Sequence, residues 1–238
     1  MTNPSDRPKC VMIIPARGGS KGLPRKNVLP FRGKPLISWS IHAGLDAAAV
    51  DDVYVSTDDD EIAVAAEAAG AKVIRRPDEL ASDTASSEAA LLHALDKIEE
   101  ADGPVDILVF AQCTSPLMTA SDVDGVVQAL LDNGADTSFA GAPFHRFVWR
   151  LENDEVTAVN HPQGRRDRRQ DRPKELLEAG SIYAMRAPGF RQSRYRFFGK
   201  IAAYSIAPER AVEIDDLADF EFAEALAANM PWEAKSPA

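Results

Sequence analysis

The sequence predicts an α/β fold, a mostly parallel sheet with helices on both faces. Three observations carry this reading. Short apolar runs of strand type alternate with segments whose apolar residues recur at helical spacing. The alternation is sustained over about the first 140 residues. The polar loops follow the strands, and ligands of open parallel sheets sit at the carboxyl ends of strands.

Taken in order, "KCVMIIP" (9–15) reads as a buried strand. "PLISWSIHAGLDAAAV" (35–50) reads as a helix with a proline near its start. "DDVYVSTDD" (51–59) is a second strand ending in a polar loop, and "EIAVAAEAAG" (61–70) a helix closed by Gly70. "AKVIRR" (71–76) is a third strand, followed by a helix over 86–100. "DILVFAQ" (106–112) is a fourth strand, and 121–133 a helix capped by Ser121. "DTSFAGA" (136–142) is a fifth strand.

The rhythm breaks over about 143–180, a stretch rich in arginine, proline and polar residues that contains "QGRRDRRQDRPKE". It reads as an excursion from the sheet, a hairpin or a subunit-contact arm. Regular structure resumes with "GSIYAMR" (180–186) and "IAAYSI" (201–206), and 215–229 reads as a closing helix. No internal repeat or long linker divides the chain, so residues 1–238 are read as a single Rossmann-like domain with the arm inserted at about 143–180.

At 238 residues and 45% hydrophobic composition, the chain can bury a substantial core. No apolar run approaches the roughly 18 residues of a membrane span. The opening "MTNPSDRPKC" has no apolar core of a signal peptide, so a cytoplasmic protein without membrane contact is expected. Cys10 and Cys113 have neither CxxC nor zinc spacing, and both are expected to be reduced and buried. The four histidines form no H-x-H or H-E-x-x-H pair. The formal charge of −10 argues against a nucleic-acid partner. Against that background, a local cluster of cations stands out as a site for an anionic ligand.

That cluster lies in "IIPARGGSKGLPRKN" (13–27), where Arg17, Lys21, Arg25 and Lys26 occur with no acid between them. Gly18, Gly19 and Gly22 allow sharp turns and close backbone approach to a ligand. A strand end, a glycine-rich backbone and clustered cations together describe a polyphosphate cradle. The spelling is neither G-x-x-x-x-G-K-[ST] nor G-x-G-x-x-G.

"PARGGSKGLPRKN" resembles the N-terminal signature of the acylneuraminate cytidylyltransferases, the CMP-sialic acid synthetase family. "RRPDELASDTASS" (75–87), "QCTSPL" (112–117), "RRQD" with "GSIYAMR", and "EIDDLADFEFAE" resemble later elements of that family, in order, across residues 11–228. The resemblance implies transfer of CMP from CTP to the anomeric hydroxyl of a 2-keto-3-deoxy acidic sugar, with pyrophosphate leaving. It also implies Mg²⁺ (or Mn²⁺) and a homodimer formed through the arm.

By resemblance, Arg17, Gly18 and Lys21 meet the triphosphate, with Lys21 stabilising the leaving pyrophosphate. Lys26 and Asn27 lie alongside the nucleotide, and Arg76 and Ser82 hold base and ribose. On the residues alone, 82–84 read equally well as the cap of the helix that follows. Gln112, Arg169 and Gln170 face the acceptor, whose carboxylate suits a guanidinium. Asp215 matches the family's metal aspartate and, with Arg17 and Lys21, completes the expected catalytic set. Glu213 stands where an aspartate is expected as a second ligand, and in extended backbone the two would share a face. For the other arginines of 165–174, a solvated arm is the competing reading.

The acceptor side departs from the family. Trp149 stands near the position where some members have a lysine, and "LLEA" precedes Gly180 where several have an arginine and an asparagine. Two alternatives follow. One is CMP transfer to another small acid, such as an eight-carbon ulosonate or a phosphonate. The other is a non-catalytic nucleotide-binding protein. A sugar 1-phosphate acceptor would call for a more glycine-dense opening loop.

Overall fold

The structure, a computed structural model, describes residues 7–20, 22–82 and 84–230. Its centre is a seven-stranded sheet. In chain order the elements begin with β1 (Cys10–Pro15), a small hairpin of β2 (Pro30–Phe31) and β3 (Lys34–Pro35), and α1 (Leu36–Leu45). They continue with β4 (Asp52–Thr57), α2 (Asp60–Ala68), β5 (Lys72–Arg75), α3 (Ser87–Asp102), β6 (Ile107–Ala111) and α4 (Ala120–Asp132). The remainder comprises β7 (Thr137–Phe144), β8 (Trp149–Glu152), β9 (Glu155–Ala158), β10 (Glu175–Arg186), α5 (Ala187–Ser193), β11 (Ile201–Ser205) and α6 (Leu217–Asn229).

The sheet order is β11-β7-β10-β6-β1-β4-β5. β10 runs antiparallel to both its neighbours, while the other pairings in this sheet are parallel. Consecutive residues of β1 and β6 are buried, as strands covered on both faces require. On one face, Met12, Ile14, Val55 and Val109 pack with Ile37, Ile41, Val123 and Val126 from α1 and α4. On the other, Val11, Ile13 and Leu108 pack with Leu91, Leu95 and Ile98 of α3 and Phe190 of α5. A third cluster joins Phe31, Leu36, Leu117 and Ile214 to Ala223 and Ala227 of α6.

Several sequence expectations change in detail. α4 is capped by Thr119 rather than Ser121. The Thr119 hydroxyl accepts from Asp122 N–H, and the Asp122 carboxylate accepts from Thr119 N–H, a reciprocal box that starts the helix earlier. The helix α3 is capped by Ser86, so capping accounts for neither Ser82 nor Thr84; Asp83 lies outside the described residues. Regular structure resumes at Glu175, so "LLEA" belongs to β10, whose register shifts between Glu178 and Tyr183 around Gly180 (φ 70°). The sequence reading assigns no element to 187–193, where α5 forms; its proline falls in the first helical turn and loses no hydrogen bond.

Within the excursion, β8 and β9 pair as an antiparallel hairpin separate from the seven-stranded sheet. Phe147 is flanked there by the guanidinium groups of Arg166 and Arg172, 4.4 and 4.3 Å from its ring centre.

Candidate active site

β1 delivers the chain into the glycine-and-cation loop, which is pressed between two acidic segments. A Cβ on Gly18 would lie 2.7 Å from Asp59 Oδ2, and one on Gly22 would lie 2.1 Å from the carbonyl oxygen of Asp215. Close approach, rather than positive φ, is what these two glycines provide. Gly18 N–H donates to Asp58 Oδ1 at 3.2 Å, tying the loop to the end of β4.

The loop cations separate by direction. Arg25 turns away to pair with Asp59 (2.6 Å) and Glu61 beside α2. Asp59 also caps α2, accepting from Ile62 N–H. Lys26 is buried; its Nζ donates to the Ile214 carbonyl at 2.5 Å and lies 3.5 Å from Asp215 Oδ1. Arg17 Nη1 donates to the Ser82 carbonyl at 3.0 Å. Thus the cationic cluster of the sequence becomes an outward ion pair, a buried tether and a bridging guanidinium. Lys21 lies outside the described residues.

Pro15 and Arg17 line two adjoining chambers. The first, of about 290 Å³, is bounded by Arg76, Leu80, Ser82 and the start of α3 at Ser86 and Ser87. Arg76 is buried there, with Nη1 3.4 Å from the Leu80 carbonyl and Nε lacking a hydrogen-bond partner. Burial lowers its pKa, and Asp58, 3.8 Å from Nε, opposes that shift. The second chamber, of about 390 Å³, is bounded by Gly19, Gly22, Lys26, Asn27, Thr114 and Asp215. Together they form a divided cleft, with charged side chains in both halves, at the carboxyl ends of the parallel strands.

Asn27 braces the floor of this cleft. Its amide donates to the Arg17 carbonyl at 3.0 Å, and its Oδ1 accepts from the Cys113 thiol at 3.0 Å. Burial pushes the Cys113 thiol up to about 11, so it is a neutral donor here rather than a nucleophile. Cys10 is likewise buried and free.

Across the cleft, Glu213 Oε1 accepts from the Thr114 hydroxyl at 3.3 Å, and that hydroxyl also lies 3.3 Å from Gln112 Oε1. The backbone of Gly180 passes close to both side chains, since a Cβ there would lie 3.0 Å from Glu213 Oε2 and 3.8 Å from Gln112 Nε2. Burial, then the neighbouring Asp215 carboxylate, raise the Glu213 pKa above the ordinary carboxylate value. Asp215 is largely exposed, with 77% of its side chain accessible.

Among the described residues, no three His, Cys, Asp or Glu side chains converge as a metal site. Glu213 and Asp215 nevertheless offer oxygen donors beside a cleft. That fits Mg²⁺, which takes one or two carboxylates and fills its shell with phosphate oxygens and water.

Arg17, Gly18, Lys26, Asn27, Arg76, Ser82, Gln112, Glu213 and Asp215 are therefore gathered around one cleft. Arg169 and Gln170 are not; they lie in an exposed turn of the arm and line neither chamber. Thr114 lies in the turn after Gln112, within the quoted "QCTSPL"; Asp58 and Gly180 were not singled out for the site and carry no local signal.

The sequence matches the cytidylyltransferase family over residues 11–235. The chain belongs to that family. It is 37% identical over 216 residues to N-acylneuraminate cytidylyltransferase B of Danio rerio, covering 89% of this chain and 50% of the relative. The chain thus spans about half the length of the first curated relatives it matches. It is 31% identical to the pseudaminic acid cytidylyltransferase of Campylobacter jejuni over 223 residues, 92% of this chain and 96% of that one. Among solved structures, it resembles CMP:2-keto-3-deoxy-manno-octonic acid synthetase complexed with CTP. The TM-score is 0.68 at 23% identity, with 92% and 98% of the two chains covered. It also resembles 4-diphosphocytidyl-2C-methyl-D-erythritol synthase of Anaerococcus prevotii, with a TM-score of 0.67 at 11% identity, covering 94% and 97%. These two likenesses extend the shared fold across nearly the whole chain. No described helix is long and apolar enough to cross a membrane.

Proposed function

We propose that this chain transfers CMP from CTP to the anomeric hydroxyl of a sialic-acid-type 2-keto-3-deoxy acidic sugar, releasing pyrophosphate. The observation that carries the reading is the division of one polar cleft at Arg17, with a buried arginine on one side and the Lys26–Asp215 pair on the other. Cytosine and ribose occupy the Arg76 and Ser82 chamber. The phosphates run past Arg17 and the Gly18 loop toward Lys26, with Lys21 at the leaving pyrophosphate by family resemblance.

The acceptor hydroxyl oxygen forms a bond to the α-phosphorus while the bond to the bridging oxygen breaks, and the hydroxyl proton is lost. The chain's part is to hold the reacting groups in line and to offset the charge that builds on the leaving group. Asp215 and Glu213 would hold a divalent cation, which when bound supplies charge neutralisation at the phosphates. Lys26 fixes Asp215 in place through its bond to the neighbouring Ile214 carbonyl. Gln112 meets the acceptor beside Gly180.

The proposed assembly is a dimer through the arm. Trp149, Leu151 and Val156 are exposed on the hairpin, with Leu151 opposite Val156, and offer apolar area that a second copy would cover. Arg169 and Gln170, which line neither chamber of their own cleft, would then serve a neighbouring one. Sedimentation of Leu151→Asp should show monomers where the parent shows dimers; unchanged mass would remove the arm from assembly.

Mass spectrometry of a reaction holding CTP, Mg²⁺ and N-acetylneuraminate or pseudaminate tests the chemistry. The expected product is the acid esterified with CMP. CTP hydrolysis without such an ester would overturn the reading.

A further inference from the structure

We propose that Arg210 is a positioning residue that sets the 213–215 segment against the cleft by clamping it to the N-terminus of α4. The inference rests on the cytidylyltransferase reading above and adds a residue to it that contacts neither nucleotide nor acceptor.

The segment leaving β11 has no regular structure beyond one short turn at Pro208–Arg210. At its start, Ile206 N–H donates to the Gly141 carbonyl; at its end, Ile214 N–H donates to the Thr114 carbonyl at 2.8 Å. Midway, the Arg210 guanidinium meets Asp122, with Nη2 donating to Oδ1 at 3.0 Å and Nε 2.9 Å from Oδ2. Asp122 is 1% exposed. A carboxylate that deep requires compensation by donors and countercharge. Its Oδ2 also accepts from Thr119 N–H at 3.0 Å and from the Thr119 hydroxyl at 2.8 Å. One buried carboxylate therefore both closes the capping box of α4 and holds the arginine.

The turn that carries Thr114 leads directly into that same helix end through Ser115 and Met118. Arg210 and the Ile214 N–H are thereby attached to one rigid unit at two points. Glu213 and Asp215 fall at the second point, within reach of Thr114 and Lys26. Loss of the first attachment leaves the acids on a longer free span, and misplacement of charged groups by about an ångström is costly to a reaction that depends on alignment.

Two variants test this, Arg210→Gln and Arg210→Lys. The first readout is hydrogen exchange without substrates. In Arg210→Gln the amides of Ile214 and Asp215 should exchange roughly tenfold faster, with the sheet and the interior of α4 unchanged. The second is the kinetic split. Turnover at limiting Mg²⁺ should fall roughly tenfold and recover largely at high Mg²⁺, while KM for CTP stays within about twofold. Arg210→Lys should restore most of both. Unchanged exchange at 214–215 in a folded Arg210→Gln, or acceleration spread evenly over α4 and the sheet, would overturn the clamp. A parent protein with no turnover would defeat the cytidylyl-transfer reading, and the exchange comparison would still decide the clamp.

Discussion

Lys26 and Asp215, far apart in the chain, meet with 3.5 Å between Nζ and Oδ1, and the same ammonium donates to the Ile214 carbonyl at 2.5 Å. The lysine is buried and the aspartate is open to the cleft. This pair closes the site between the first loop of the sheet and the segment before the last helix. Lys26→Met keeps the buried stem and removes the charge. Turnover should fall about a hundredfold, while the unfolding free energy should shift by less than about 1.5 kcal/mol. Steady-state kinetics and urea unfolding of the same preparation measure both; turnover near the parental rate would exclude the tether from catalysis.

Gly22→Ala would place a methyl group 2.1 Å from the Asp215 carbonyl oxygen, a backbone atom that cannot rotate away. The loop and the acidic segment must separate. A stability loss of about 1–3 kcal/mol is expected, together with a larger fall in kcat/KM than Gly19→Ala, whose added methyl meets open space. Equal activity in the two alanine variants would contradict the close approach.

Glu213 gives a pH-dependent prediction. Its pKa is raised in the folded protein, chiefly by burial and then by Asp215. A raised carboxyl pKa means the folded state holds the proton more tightly than the unfolded state does. Its stabilising contribution is therefore full below the unfolded glutamate pKa and disappears as pH rises through the folded value. Glu213→Gln does not titrate. Without metal or nucleotide, its stability relative to the parent should increase from pH 4 to pH 7.5, by at most about 1 kcal/mol after solvent screening. Turnover should fall in the same variant. Thermal unfolding across that range checks the sign; a relative gain that shrinks with rising pH would contradict the burial argument.

Cys113 should be chemically quiet. With its thiol pushed up to about 11 and donating to Asn27, it is neutral at pH 8. Cys113→Ser keeps a donor to Asn27 and should retain activity within about threefold. A disulfide reagent should label the folded parent far more slowly than the unfolded chain. Rapid labelling at pH 8 would show that the floor of the cleft opens.

The parallel part of the fold was legible because buried strands and amphipathic helices write their periods into the sequence. β1 and β6 are near-continuous apolar runs, β4 carries Val-Tyr-Val at its centre, and α1 to α4 each carry a helical stripe. The two-residue strands β2 and β3 are too short to show a period, and their turn depends on positive φ at Arg32 and Gly33. The site was legible as residue types in motifs, but not as directions. Nothing local distinguishes Arg25, which turns to Asp59 and Glu61, from Arg17, which reaches across to Ser82. Arg210 was invisible for the same reason, since its partner Asp122 lies 88 residues away in a helix cap.

Pyrophosphate release measured with each of CTP, UTP, ATP and GTP against a panel of acids tests the central claim most directly. The panel holds N-acetylneuraminate, pseudaminate, an eight-carbon ulosonate and a simple phosphonate. The predicted result is release with CTP alone among the nucleotides, dependent on a sialic-type acid and on a divalent cation. Release that is indifferent to the base, or that requires only the phosphonate, would contradict it.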